Sequence, residues 1–434
     1  MTERISAAEA ARAARKASYL LAAASGDLRN NALRAISRRL KERRDEVFAA
    51  NREDLLAAQT AGIAKPVLDR LRFDAHKLED ICRGIEALSE LPDPIGQRQI
   101  HRELADGLVL TRVSCPIGVI GVIFESRPDA LVQIGTLCLK SGNCVLLKGG
   151  SEARKTNATL FSVLEEAGRE TGLPEGWAAL LETRNDVTEL LSMDQDVDLL
   201  IPRGSGAFVR YIMEHTNIPV LGHSEGVCHV YLDAGCAPEM AARIAKDAKT
   251  QYPSACNAAE TILWHKDAAA AMLETAQVLQ KAGVRMAGDQ ETVRLLSEAG
   301  MDCGIVAEDG WNTEYLSLAV SVRRVENIDE AITHINRYGS HHTDAIVTND
   351  DAAWARFSAL VDSAGVYRNC STRFADGYRY GFGAEVGIAT GKIHARGPMG
   401  LEGLCSYKYL LEGHGDVVAD FAEGRRSFLH RDLN

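Results

Sequence analysis

From Pro116 onward the chain alternates short apolar runs with amphipathic segments, and this alternation constrains its fold more than any other feature. The run "IGVIGVIF" (117–124) has no polar face, so it suits a strand buried on both sides, as in a parallel sheet covered by helices. A helix over about 128–141, the strand "CVLLK" (144–148) and a helix over about 152–170 follow. Next come "WAALLE", a helix near 186–193, "DLLIP" (198–202), a short helix, "IPVLG" and "VCHVYLD". From about Asp233 a second series begins, with helices near 238–250, 267–282 and 328–338 between "TILWH", "LAVSVRRV", "DAIVT" and "AGVYRN". Strand and helix in alternation predict an α/β fold of two doubly wound, Rossmann-like domains.

Three segments stand outside the alternation. Residues 1–90 carry apolar positions at helical spacing, and the prolines of "LPDPIG" (91–96) stop that pattern. Two short strand-like pieces flank Asp106-Gly107, a hairpin signal. "LCSYKYLLEG" (404–413) reads as a further strand away from the parallel series. The expected organisation is one α/β domain from 1–97 and 115–232, a second from 233–404, and a small β element from 98–114 and 405–434.

With 49 Lys and Arg against 60 Asp and Glu, the net charge of −11 fits an acidic enzyme-like surface. It argues against a nucleic-acid scaffold or a binder of anionic membranes. No stretch approaches the ~18 apolar residues of a membrane span, and the early run "YLLAAA" is shorter than a signal-peptide core, so a cytoplasmic protein is expected. The ten cysteines form no CxxC pair, which argues against a zinc site or a disulfide framework. Adjacent His341 and His342 cannot easily converge on one ion, so no metal is expected.

One thiol has a distinctive setting. In "KTQYPSACNAAETILWH", Pro253 prevents the helix before it from continuing, small residues surround Cys256, and a strand starts near Thr261. Backbone amides at such a helix-to-strand loop can bind an oxyanion, so Cys256 is a candidate nucleophile; the alternative is a packed thiol like the other nine. In "IPRGSG", Gly204 and Gly206 follow a strand and open a helix, which suits either a dinucleotide phosphate or merely a tight turn.

At the Cys256 motif the chain resembles the γ-glutamyl phosphate reductases of the aldehyde dehydrogenase superfamily. The resembling blocks are "PIGVIGVIFESRP" (116–128), "LKSGNCVLLKGGSEA" (139–153), "IPRGSG" (201–206), "GVCHVYLD" (226–233), "KTQYPSACNAAET" (249–261) and "GAEVGIATGKIHARGPMGLEGL" (383–404). A further block, "VENIDEAITHINRYGSHHTDAI" (325–346), resembles the family's signature. The resemblance implies that the first domain binds NADP and that the second carries the nucleophile Cys256. It matches Lys148 to a lysine at the adenosine ribose, Gly204 and Ser205 to the glycine turn beside the cofactor, and Glu314 to a glutamate on the nicotinamide ribose. Ser151 stands where many NAD-preferring relatives carry a ribose-binding Glu. Losing that carboxylate removes its repulsion of a 2′-phosphate and favours NADPH.

Two departures from ordinary aldehyde dehydrogenases point to acyl-phosphate chemistry. Val220 takes the place of the glutamate that activates water against the thioester, so hydrolysis to an acid should be slow. Ser126 takes the place of the oxyanion-hole asparagine, leaving the Cys256 amide and Asn257 as candidate donors. The implied substrate, L-glutamyl 5-phosphate, carries phosphate, carboxylate and ammonium groups. Ser126, Arg127, Arg203, Arg373 and Arg396 lie in matched blocks, and guanidinium groups suit both anions. Ser371 and Thr372 in "YRNCSTRFADG" resemble the superfamily's substrate-anchoring loop.

The expected reaction is NADPH-dependent reduction of L-glutamyl 5-phosphate to L-glutamate 5-semialdehyde through a Cys256 thioester, the second step of proline biosynthesis from glutamate. A hydrolytic aldehyde dehydrogenase and a non-catalytic binding module are the rival readings. Segments 98–114 and 405–434 are expected to pair subunits into a homodimer or higher homo-oligomer, with a glutamate 5-kinase as a candidate partner.

Overall fold

The computed structural model describes residues 5–222, 225–307, 310–393 and 395–433. Two compact units emerge. The first takes the chain up to Leu221 together with Phe382–Gly387 and the chain from Met399 on; the second takes Gly222–Gly381 and Ile388–Pro398.

The first unit is built on a four-stranded parallel sheet in the order Ala178–Leu181, Cys144–Lys148, Val119–Phe124, Leu199–Arg203. Every residue of Val119–Phe124 and Cys144–Lys148 is buried, as an uninterrupted apolar run requires. Register pairs Ile123 with Lys148 and Phe124 with Arg203, so the chemistry-bearing ends of three strands fall side by side. Five helices occupy the N-terminal region, and side-chain caps from Ser6, Ser25 and Asp74 start three of them. Ser6 and Glu9 form a capping box ahead of Ala7–Ala23. The helix Arg154–Thr171 lacks a local cap; the buried Asp54 substitutes, accepting from the Thr156 N–H at 2.8 Å and the Thr156 hydroxyl at 2.6 Å.

A second, antiparallel sheet in this unit has the order Cys405–Glu412, Leu108–Pro116, Arg98–Ala105, Arg431–Asp432. The lone C-terminal strand thus finds its partner in the hairpin. Asn143 supports this arrangement from a fully buried position, accepting the Gly118 N–H and donating to the Leu404 carbonyl, both at 2.8 Å.

The second unit holds a seven-stranded parallel sheet in the order Gly304–Ile305, Arg285–Gly288, Ala319–Val325, Ala259–His265, Cys228–Leu232, Thr343–Val347, Gly365–Arg368. One of its faces packs Ile262, Trp264, Val320 and Val322 against Ile244, Met272 and Leu279. Two boundaries differ from expectation. Cys228–Leu232 hydrogen-bonds between Ala259–His265 and Thr343–Val347, so it belongs to the second sheet and not to the first domain. Phe382–Gly387 and the chain from Met399 to Leu404 return to the first unit, where the Val386 N–H bonds the Met399 carbonyl at 2.9 Å. "IPVLG" contributes only a bridge, Val220 beside Leu200, because Pro219 offers no N–H to a ladder.

Among the described residues no helix is long and apolar enough to cross a membrane. Replacing Asn143 with Ala should leave the Gly118 N–H and the Leu404 carbonyl without partners. The expected loss is about 2–4 kcal/mol of unfolding free energy, read from denaturant titration.

Candidate active site

In the first unit, the candidate residues gather at the carboxyl ends of the parallel strands. Val119–Phe124 and Leu199–Arg203 are neighbours at which the strand order reverses, and such a switch point opens a crevice for ligands. Gly204 and Ser205 follow the second of these strands. Ser205 caps the helix Gly206–Glu214 by accepting from the Phe208 N–H at 3.4 Å, and a Cβ at Gly204 would sit 3.0 Å from the Phe208 ring.

Ser126 follows the first strand in a left-handed conformation, φ 47°, unusual for a residue with a side chain. Glu152 holds it there, accepting the Ser126 N–H at 2.6 Å and its hydroxyl at 2.7 Å through one oxygen. The Ser126 hydroxyl is therefore committed to a carboxylate, and its expected contact with substrate is not open in this geometry. Arg127 is exposed and makes no ion pair among the described residues. Arg203 donates to the Val386 carbonyl, which ties it to the returning segment.

Lys148 is buried and donates to the Gly149 carbonyl at 2.6 Å. Just beyond it, Gly149, Gly150, Ser151, Arg154, Asn157 and Glu182 line a small cleft. The Asn157 Oδ1 is buried there without a partner among the described residues, and Cβ atoms at Gly149 and Gly150 would collide with Asn157 and Glu152. Bare glycine backbone, an unsatisfied acceptor, a lysine and Arg154, which pairs with Glu182 at 3.1 Å, fit the polar adenosine half of a dinucleotide.

In the second unit, Cys256 lies between the helix Pro238–Thr250 and the strand Ala259–His265. Two tight turns, Ala255 N–H to the Tyr252 carbonyl at 3.2 Å and Ala258 N–H to the Ala255 carbonyl at 2.9 Å, leave it half-buried. Neither the Cys256 nor the Asn257 backbone N–H has an acceptor among the described residues. Two unclaimed amides beside a thiol suit a developing oxyanion. The Cys256 carbonyl accepts the Cys228 thiol at 3.4 Å, and burial raises the Cys228 pKa well above the ordinary value.

The Asn257 side chain is engaged with a neighbouring loop. It is buried, donating to the Ala375 carbonyl at 2.8 Å, while Thr372 donates to the Asn257 carbonyl at 2.7 Å. Ser371 caps the short turn Thr372–Phe374. Asn257 and Thr372 fasten the 371–375 loop to the Cys256 loop. Arg396 is paired with Asp362 at 2.9 Å.

Arg373 is different. Its guanidinium is buried, accepted by Gln251 at 2.9 Å and stacked over Tyr252, with no carboxylate in ion-pair range among the described residues. Burial pulls its pKa down and Arg379 adds to the shift, while Cys256, Asp376 and Asp247 oppose it. A desolvated cation that feels Cys256 and lacks a counter-anion is prepared to receive one.

Glu314 accepts the Gly226 N–H at 3.0 Å, and Gly226 packs on the Cys256 backbone so tightly that a Cβ would stand 2.6 Å from the Cys256 Cα. The sequence reading missed Lys249 and Glu260, both fully buried and 2.5 Å apart. Burial raises the Glu260 pKa to about 7 and lowers that of Lys249. Their signal was present: a lysine on the apolar face of Pro238–Thr250 and a glutamate in an apolar strand must find each other.

The sequence pattern of the aldehyde dehydrogenase family matches residues 2–294. The γ-glutamyl phosphate reductase of Acetivibrio thermocellus is 53% identical over 431 residues, covering 99% of each chain. γ-Glutamyl phosphate reductase 1 of a Synechocystis species is 50% identical over 97% of this chain and 96% of its own. The crystal structure of γ-glutamyl phosphate reductase from Thermotoga maritima superposes with a TM-score of 0.92 at 37% identity, covering 95% of this chain and 100% of that one.

Asn257→Ala should cost about 1–3 kcal/mol by leaving the Ala375 carbonyl unpaired. Because the backbone amide survives, turnover should fall by about tenfold or less, whereas loss of an oxyanion donor costs about 10²–10³. Steady-state kinetics on the purified variant distinguish the two.

Proposed function

The chain belongs to the γ-glutamyl phosphate reductases of the aldehyde dehydrogenase family, and on that premise we propose that it reduces L-glutamyl 5-phosphate to L-glutamate 5-semialdehyde with NADPH. This is the second step from glutamate to proline. The observation that carries the reading is the buried guanidinium of Arg373, in ion-pair range of no carboxylate among the described residues, on a loop that Thr372 fastens to the Cys256 loop.

The Cys256 thiolate attacks the γ-carbonyl carbon. A carbon–sulfur bond forms, the carbon–oxygen bond to phosphate breaks, and inorganic phosphate leaves with the electron pair. Arg373 holds the substrate's phosphate through both steps. When bound, the dinucleotide would supply the hydride that reduces the resulting thioester. The Cys256 and Asn257 amides receive the oxyanion that forms at the acyl carbon, and its collapse expels the thiolate and yields the aldehyde. Lys148, Arg154, Gly204 and Ser205 would hold the dinucleotide in the first unit. The hydroxyl of Ser151, in place of a carboxylate, supports NADPH over NADH.

Val220 carries no base to activate water, which supports phosphate over water as the partner of the thioester. Exposed Tyr407, Tyr409, Leu410 and Leu411 on the edge strand Cys405–Glu412 support self-association as a homodimer or higher oligomer. A cytoplasmic location fits this chemistry, and a glutamate 5-kinase would supply the labile acyl phosphate.

The test runs the reaction backwards, following NADPH formation from NADP⁺ and glutamate semialdehyde. Turnover should require phosphate or arsenate, and Cys256→Ala should abolish it; phosphate-independent turnover would mean a hydrolytic dehydrogenase. Arg373→Met should raise the KM for phosphate by about 10–100-fold while leaving that for NADP⁺ nearly unchanged. Ser151→Glu should shift preference toward NAD⁺ by about tenfold or more.

A further inference from the structure

Lys249 closes the helix before Cys256, and Glu260 opens the strand after it. Both side chains are wholly buried, and Lys249 Nζ donates to Glu260 Oε2 at 2.5 Å. The other carboxylate oxygen, Oε1, accepts the Leu316 N–H at 3.3 Å. Leu316 lies in the left-handed region at φ 51°, an unfavourable conformation for a γ-branched side chain. Its carbonyl accepts the Ser254 hydroxyl at 3.2 Å, so the Cys256 loop and its flanking strand grip one strained peptide from both sides. Two residues earlier on the same loop, Glu314 accepts the Gly226 N–H, and Gly226 packs on the Cys256 backbone.

These contacts close a ring: Lys249, Glu260, Leu316, Glu314, Gly226, Cys256. Stability alone does not call for an ion pair there, since desolvating two charges commonly costs as much as their attraction returns, and an apolar pair could fill the space. A carboxylate has a property no apolar residue has. It can accept a cation on one oxygen and a backbone N–H on the other, and so lock two loops in one register. Burial that raises the Glu260 pKa and lowers that of Lys249 agrees with a pair sealed from water.

We propose that Lys249 and Glu260 are positioning residues that lock the Glu314 loop to the Cys256 loop and so fix the thiol against the carboxylate expected on the nicotinamide ribose. This rests on the reading of Cys256 as the nucleophile.

The test compares Lys249→Met, Glu260→Gln and the double variant K249M/E260Q with wild type. Readouts are thermal midpoint, reverse-direction kinetics, and the rate at which iodoacetamide alkylates Cys256, followed by peptide mass spectrometry. Each single variant leaves a buried group without its partner and should melt lower. The double variant carries no buried charge and should recover the midpoint. Even so, its kcat should stay down about tenfold or more, its KM for NADP⁺ should rise about threefold, and Cys256 alkylation should change about threefold. Recovery of kcat together with the midpoint would overturn the proposal, as would an unchanged alkylation rate. Cys256→Ala separates the two ideas. Retained turnover in that variant would overturn the nucleophile reading, while alkylation, which needs no turnover, would still decide whether the pair sets the thiol.

Discussion

Parallel strands cannot be joined by tight turns, and that constraint organises this molecule. Each strand must return through a crossover, here usually a helix, so both faces of the sheet are covered and runs such as Val119–Phe124 are wholly apolar, while a polar side chain inside a strand, such as His229, must find a buried partner, here Asp344. Chemistry is thereby pushed to the strand ends. In the first unit it collects at the carboxyl ends, where Lys148 ends one strand and Ser126 and Gly204 follow the two beside it. In the second unit the thiol instead precedes its strand, and Gly226 precedes the neighbouring one, so their loops meet at the amino ends. A Cβ at Gly226 would prevent that approach, which makes the glycine a packing requirement and not a source of flexibility.

The same burial that defines the sheets sorts the four candidate arginines. Two of the four already hold acceptors: Arg203, half-buried, a backbone carbonyl, and Arg396, at the surface, the Asp362 carboxylate. Arg127 remains in solvent, where a cation discriminates little between one anion and another. Arg373 alone is both desolvated and without a carboxylate, held at its Nε by a neutral amide and at its face by Tyr252. Neutral support orients the group without satisfying its charge. An anion entering such a site gains more than it would at an exposed one.

How much of this was legible depended on whether the signal was local. The runs 119–124 and 144–148 are apolar on both faces and appear as strands at those places. Cys256 stood out because Pro253 breaks its helix. Arg285–Gly288 and Gly304–Ile305 were unreadable, since one is four residues long with an exposed end and the other is two exposed residues. The boundary near 232 was misplaced because an apolar strand does not declare which sheet it joins; only pairing with Ala259–His265 and Thr343–Val347 decides it. The engagement of the Asn257 side chain was hidden for a similar reason. Its type suits an oxyanion donor, but the partner that occupies it, the Ala375 carbonyl, is more than a hundred residues away in sequence.

Ser126 shows how such distant partners act. A serine left to itself would leave the left-handed region, at a gain of about 1–3 kcal/mol. Glu152 opposes this by accepting both the backbone and the side-chain proton through one oxygen, and charge-assisted bonds of that kind outweigh the strain. The carboxylate also sits where a Cβ on Gly150 would be, so the glycine next to Ser151 is required by the glutamate that fixes Ser126. The loops after two adjacent strands are therefore one structure. A substitution in the glycine turn beside the adenosine cleft acts through Glu152 on the start of the helix Pro128–Lys140, and neither loop can be altered as an independent binding element.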